Sequence, residues 1–431
     1  MTTAAPATRR IHRAWSVAAV TFLALIAAAA FRSSTGALIE PIENEFHWSR
    51  ATTSLAITVN LVIYGLTAPF AAALMQRFGI KPMVAGALTL VSLGCLATTV
   101  MSAPWQLVAA WGLAIGIGTG SLALVFGAII AERWFVEHRG LVTGIFSAAS
   151  STGQLVFLPV IAGLIAHRGW RTAVLVVAFF SLLLVPLVLW LLADSPGRLG
   201  LTAYGTRPGS EVLSRPAPTS SPARQAIGAL TRSSRSWTFW VLMGTFFICG
   251  WSTNGLIGAH FIPAAHDHGM PPTTAADLLA LIGIFDIVGT IGSGWLTDRV
   301  DPRNLLLLYY GLRGLSLLIV PTVLGATVDP PLFLFIVFYG LDWVATVPPT
   351  VALCRDHFGS EQAGLVFGWV FAAHMVGAGL AASFAGAIRE HTGDYRIAWL
   401  TAGLLCLVAA MSLLTISRHS KPPAVAALSA L

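Results

Sequence analysis

Apolar runs long enough to cross a lipid bilayer recur twelve times along this chain, and that repeat limits the fold more than any single motif. A bilayer's hydrocarbon core is about 30 Å thick, so a helix needs about 20 apolar residues to span it. The runs lie near 15–38, 51–76, 82–101, 104–131, 140–166, 172–193, 237–265, 274–297, 304–327, 331–354, 362–388 and 395–417. Of 431 residues, 56% are hydrophobic and only 10% charged, with a mean hydropathy of +0.78. No soluble core absorbs that much apolar surface, so the expected class is an all-α, multi-pass membrane protein. The first run follows Arg9, Arg10 and Arg13 in the manner of a secretory signal. Its apolar stretch continues to Ile39, too long for a signal core, and predicts a retained helix.

Basic residues are distributed by side. With twelve spans and both termini on one face, eighteen Lys and Arg fall on the termini side and five on the other, while Arg32 and Arg313 lie within spans. The positive-inside rule then predicts cytoplasmic termini in an inner membrane. The pI near 9.7 is thereby a matter of topology, and no nucleic-acid partner is expected. Cys95, Cys249, Cys354 and Cys406 are scattered singly, without metal-ligand spacing, and read as small buried side chains. Residues 194–236 are rich in Pro, Ser, Thr and Arg and predict a mobile cytoplasmic linker. It separates an N-terminal bundle, 1–193, from a C-terminal bundle, 237–431.

The two halves repeat. Ala72-Ala-Leu-Met-Gln76-Arg77 after the second run matches Gly294-Trp-Leu-Thr-Asp298-Arg299 after the eighth. Arg133-Trp-Phe135, then Gly140-Leu-Val-Thr-Gly144, matches Asp356-His-Phe358, then Gly364-Leu-Val-Phe-Gly368. Two structural repeats of six helices predict two bundles facing each other, with a site between them near the bilayer midplane.

With these loops in place the chain resembles the major facilitator superfamily over nearly its full length. Gly294, Asp298, Arg299 and Arg303 match that superfamily's G-x-x-x-D-R-x-x-R hinge, and the first-half copy carries Ala72 and Gln76 instead of Gly and Asp. The run Arg133-Trp-Phe-Val-Glu-His-Arg139-Gly-Leu-Val-Thr-Gly144 is similar to the monocarboxylate-transporter-like and oxalate/formate-antiporter-like branch. The resemblance implies twelve helices in two pseudo-symmetric bundles. It places helices one, four, seven and ten around a central cavity, two, five, eight and eleven beside them, and three, six, nine and twelve at the periphery. It also implies a cytoplasmic gate of Gly294, Asp298, Arg299, Arg303, Arg77, Arg133 and Arg139. Those relatives carry an Arg four residues after the eighth-helix Asp, whereas here Asp286 is followed by Thr290.

Polar groups inside apolar runs are expensive and mark candidate sites. Asp286, Thr290, Ser293 and Thr297 share one face of the eighth helix, and Thr143, Ser147, Ser150 and Gln154 one face of the fifth. Each stripe has to face protein or water. Asn60 and Tyr64 on the second helix, Asn254 on the seventh, Asp342 on the tenth and His374 on the eleventh reach similar depth, with Arg32 in the outer half of the first. Arg313, on a peripheral helix, is expected to form a structural charge pair with Asp286 or Asp342. Arg32 is the expected anion ligand, and Asp342, His374 or Asp286 the expected proton carrier.

No Walker loop, zinc ligand set or nucleophile and base appears, so neither an enzyme nor a cofactor or metal is expected. The expected function is secondary active transport of a small organic anion, monocarboxylate-like, with protons, by a monomer in the lipid bilayer. Arg32, Asn60, Tyr64, Gln154, Asn254, Asp286, Asp342 and His374 would bind substrate. Proton-driven efflux of hydrophobic cations is the alternative with the same fold, and a non-transporting sensor the alternative of another class.

Overall fold

The computed structural model describes residues 12–48, 50–207 and 221–417. Among them, eleven helical runs are long and apolar enough to cross a membrane, and Arg139–Arg168, at 30 residues, is a twelfth long helix. In chain order these are Arg13–Phe46, Arg50–Phe78, Ile80–Thr99, Pro104–Trp134, Arg139–Arg168, Trp170–Leu191, Trp237–Asp267, Pro272–Thr297, Pro302–Val323, Pro330–Phe358, Ala363–Thr392 and Arg396–Leu413. They are called the first to twelfth helices below. Helices prevail because a spanning segment has no water to satisfy its amides and closes its hydrogen bonds internally.

The repeat seen in the sequence governs the packing. The first helix packs on the fifth and the third on the sixth in one half; the seventh packs on the eleventh and the ninth on the twelfth in the other. The halves meet chiefly where the fifth helix lies on the eighth and the second on the eleventh. Glycines permit the first of these seams. A Cβ on Gly294 would stand 2.3 Å from the Gly140 carbonyl oxygen, and one on Gly144 would stand 2.5 Å from that of Thr290. All three glycines lie in the parts of these helices nearer the termini side. There the seam is closed backbone to backbone. The far parts of the seventh and tenth helices, by contrast, pack on neighbours of their own half.

Three helices depart from regular geometry, each at a place that matters later. Val108–Ile115 in the fourth and Trp251–Ile257 in the seventh are π-helical, a widened turn common at functional positions. The tenth helix breaks between Asp342 and Val347, just ahead of Pro348 and Pro349, which have no N–H to continue the ladder.

Two expectations are corrected here. The first helix runs to Phe46, eight residues past the predicted end, with Pro41 inside it; polar Glu43 and Glu45 ride on its far end, beyond the apolar part. The described parts of the connection between the halves, 194–207 and 221–236, also hold contacts that its composition does not suggest. Residues 194–207 fold back on the first half, with the Tyr204 N–H donating to the Trp134 carbonyl at 2.8 Å. Asp194 accepts from the Lys81 N–H at 2.8 Å at the start of the third helix. Pro222–Ser233 forms an amphipathic helix capped by Ser221 and packed on the second and eleventh helices. Periodic Gln225, Ala226, Ala229 and Ser233 give it a buried face, a signal the overall polarity of the segment hides.

Candidate functional site

Tyr64, on the second helix, stands between the halves. Arg32 donates to its hydroxyl at 2.8 Å and places its guanidinium 4.9 Å from the ring centroid. The Tyr64 ring also meets Phe371 of the eleventh helix edge-on, 5.5 Å between centroids. One turn along, His374 lies parallel to Phe371 at 5.9 Å, and its Nε2 is 3.2 Å from the Asn254 side-chain nitrogen. Asn254 sits in the π-turn of the seventh helix and is exposed, whereas His374 is buried. An exposed amide at that depth requires an aqueous space rather than hydrocarbon. Gly258, one turn beyond, faces Trp343 of the tenth helix, which puts the seventh and tenth helices on the same space. A continuous ladder therefore runs from Arg32 through Tyr64, Phe371 and His374 to Asn254, from one half to the other.

The carboxylates are elsewhere. Arg313 is fully buried and donates through Nε to the Asp342 carboxylate at 2.6 Å. Its other nitrogens reach the main-chain carbonyls of Asp342 and Trp343, with Cys249 Sγ at 3.3 Å and Ser252 Oγ at 3.4 Å. Asp286 accepts from Thr290 at 2.6 Å and from the Val344 N–H at 3.0 Å, while Ser293 donates to the Ala345 carbonyl at 2.6 Å. These contacts have one purpose. The break before Pro348 and Pro349 strands several amide groups of the tenth helix, and Arg313, Asp286 and Ser293 satisfy them. Among the described residues, one oxygen of Asp342 and Nδ1 of His374 are buried and have no hydrogen-bond partner.

The remaining predicted site residues are placed as follows. Asn60 donates to the Trp111 carbonyl at 2.6 Å, an acceptor in the π-turn of the fourth helix, and does not join the ladder. Thr143 and Ser147 bond to carbonyls four residues back on their own helix, while the side chains of Ser150 and Gln154 lie outside the described residues. Arg9 and Arg10 also lie outside them.

At the termini end the seam carries charge. Both Asp298 oxygens cap the start of the fifth helix, accepting from the Gly140 N–H at 2.7 Å and the Leu141 N–H at 3.0 Å. Gln76, at the matching position of the first half, donates to the Glu361 carbonyl at 3.0 Å just before the eleventh helix. Glu132 lies 3.5 Å from Arg355 of the opposite half and 3.8 Å from Arg139. Gly294 and Asp298 thus sit at the seam, and Arg139 lines the recess beside Asp298 and Arg355. Of the other predicted gate residues, Arg303 donates to the Ile416 carbonyl, Arg133 donates to the Asp194 carbonyl, and Arg299 and Arg77 lie over the Trp295 and Phe78 rings. The Glu132 and Arg355 pair was missed, although the repeat held its signal. Glu132-Arg133 in one half aligns with Arg355-Asp356 in the other, so equivalent positions carry opposite charge, and a two-fold relation brings them face to face.

Two six-helix halves, joined along a seam closed at one end and holding polar groups at mid-depth, define a multi-pass membrane transporter. The chain belongs to the Major Facilitator Superfamily, whose family model matches residues 20–346 and 242–430. Among curated proteins it is similar to the uncharacterized MFS-type transporter YcxA of Bacillus subtilis, 25% identical over 88% of this chain and 90% of that one. It is also similar to monocarboxylate transporter 13 of Rattus norvegicus, 27% identical over 86% and 81%, and to human monocarboxylate transporter 11, 27% identical over 91% and 80%. Among solved structures, the proton:xylose symporter XylE superposes with a TM-score of 0.71 at 15% identity, covering 93% of this chain and 95% of that one. The human organic anion transporter MFSD10 gives 0.70 at 15% identity, covering 94% and 100%. At such identity these two speak for the fold alone.

Proposed function

We propose that this protein moves a small monocarboxylate-like anion across the cytoplasmic membrane with protons, by alternating access between its two halves. The observation that carries the reading is the ladder from Arg32 to Asn254. It sets a cation and a phenol on one half opposite an imidazole and an amide on the other, with Phe371 between them, so an anion held by Arg32 faces groups of the second half. Arg32 meets the carboxylate, Tyr64 yields its bond to the guanidinium, and Asn254 and His374 close on the substrate from the other side. His374, which meets Asn254 in the second half, is the proposed proton carrier. Asp342, buried beside Arg313, is a second candidate for that role. Asp286 serves chiefly to hold the tenth helix.

The curated monocarboxylate transporters and the basic bias of the termini side support the substrate class and the orientation, with both termini cytoplasmic. The engagement of Asp286 and Asp342 in the helix break weighs against the cation-efflux reading, which needs carboxylates on the cavity. Uptake of labelled monocarboxylates into proteoliposomes, with and without an imposed pH gradient, tests the proposal. Arg32→Gln is expected to abolish uptake while the protein stays folded. Failure of the native protein to accumulate any of these acids, with protection of cells against lipophilic cations, overturns it.

A further inference from the structure

Helix Pro222–Ser233 straddles the seam between the second and eleventh helices, which belong to opposite halves. Ala226 and Ala229 are fully buried in that contact, and the Trp369 indole N–H donates to the Ala226 carbonyl at 2.9 Å. Away from that contact the helix exposes Arg224, Ile227, Thr231 and Arg232, and Arg235 follows, also exposed. At 1.5 Å per residue, Arg224 and Arg232 stand about 12 Å apart along the axis. The helix has no acidic residue.

Its depth is fixed by what comes next. Trp237 and Trp240 are 63% and 51% exposed at the start of the seventh helix. Their indole N–H groups are satisfied within the protein, by Thr415 Oγ1 at 2.7 Å and the Ser234 carbonyl at 2.8 Å. Exposed indoles at a helix end belong at the boundary between hydrocarbon and headgroups. The arginines just before them therefore lie at headgroup level, where a guanidinium forks onto phosphate oxygens.

We propose that the face formed by Arg224, Arg232 and Arg235 binds anionic lipid headgroups, and that this binding clasps the helix to the seam and favours closure of the termini end. Opening that end parts the second helix from the eleventh, so the docked helix has to release one of them. A ligand that holds it docked shifts the equilibrium by its difference in affinity for the two states. The attraction is short-ranged, because the Debye length of about 10 Å at 0.1 M salt falls to about 3 Å at 1 M.

The test compares the purified protein in nanodiscs of phosphatidylcholine alone and of phosphatidylcholine with phosphatidylglycerol. Melting temperature and maleimide labelling of a Thr143→Cys reporter in the seam are measured in both. The anionic discs are expected to raise the melting temperature and slow the labelling, both effects fading in high salt. Arg224→Gln, Arg232→Gln and Arg235→Gln together lose both responses, and each single change loses part of them should the triple variant fold poorly. Trp369→Phe keeps the bound lipid seen by native mass spectrometry but loses the slowed labelling. A triple variant that responds to phosphatidylglycerol as the parent does overturns the proposal. So does inorganic phosphate that reproduces both effects in neutral discs, which marks a site for free anions.

Discussion

Replacing Asp298 by Asn tests the reading of the seam most directly. Asp298 accepts two N–H groups at the start of the fifth helix, at 2.7 and 3.0 Å, from across the boundary between the halves. Hydrogen bonds to a charged acceptor contribute about 1.5–3 kcal/mol each when buried, and the helix terminus adds about 0.3–1 kcal/mol for a negative charge. Asp298 is exposed at a recess shared with Glu132, Arg139, Thr143 and Arg355, so water screens most of this. Asn keeps the shape and one acceptor but loses the charge. The closed state should then lose about 1–2 kcal/mol against the open one, a factor of roughly 5–30 in population. Thr143 is buried in the recess, so Cys at that position labels in proportion to the open fraction. The four native cysteines are buried and set a low background. Asp298→Asn is expected to speed labelling by that factor without lowering the melting temperature. A change in rate under twofold would refute the view that Asp298 holds the seam shut.

Other outcomes follow from the same geometry. Gly294→Ala puts a methyl 2.3 Å from the Gly140 carbonyl and should speed labelling of Thr143→Cys with little loss of stability, whereas Gly289→Ala, 1.9 Å from the Leu341 carbonyl inside one half, should lower the melting temperature without opening the seam. Overpacking of this kind costs about 1–3 kcal/mol or more. Arg313→Met leaves Asp342 buried and uncompensated, an expected loss of about 3–5 kcal/mol read as poor yield and early melting. Adding Asp342→Asn should recover much of it, and no recovery would argue against a structural pair. On the far side, the Arg171 hydrogen bond, ahead of that from Trp170, holds the Glu45 carboxyl below its usual range. A depressed folded value means the pair stabilises above the unfolded carboxylate's range and stops doing so as pH falls through it. Glu45→Gln should therefore lower the melting temperature at pH 7, by an amount that shrinks as the pH falls below the usual carboxylate range; an effect that grows toward acid would contradict this.

How much of this was legible in advance depends on the kind of interaction. The twelve spans, their grouping into two halves and the superfamily were written in runs of apolar residues and in matching loops, because hydrophobic length and repeat are properties of consecutive residues. The polar residues inside spans could be picked out for the same reason: each violates its local surroundings. Their partners could not. Arg32 meets Tyr64, and Arg313 meets Asp342 rather than Asp286, through helix rotations of a few tens of degrees that no local pattern encodes. The linker's helix escaped notice because its buried face is two alanines, a glutamine and a serine, and only the second and eleventh helices make that face a contact. Sequence alone determined that this chain crosses the membrane as two repeated halves and which side chains have to be satisfied there. The tertiary structure decided which of them brace the broken tenth helix and which face one another across the halves, since that choice rests on distances between helices far apart in the chain.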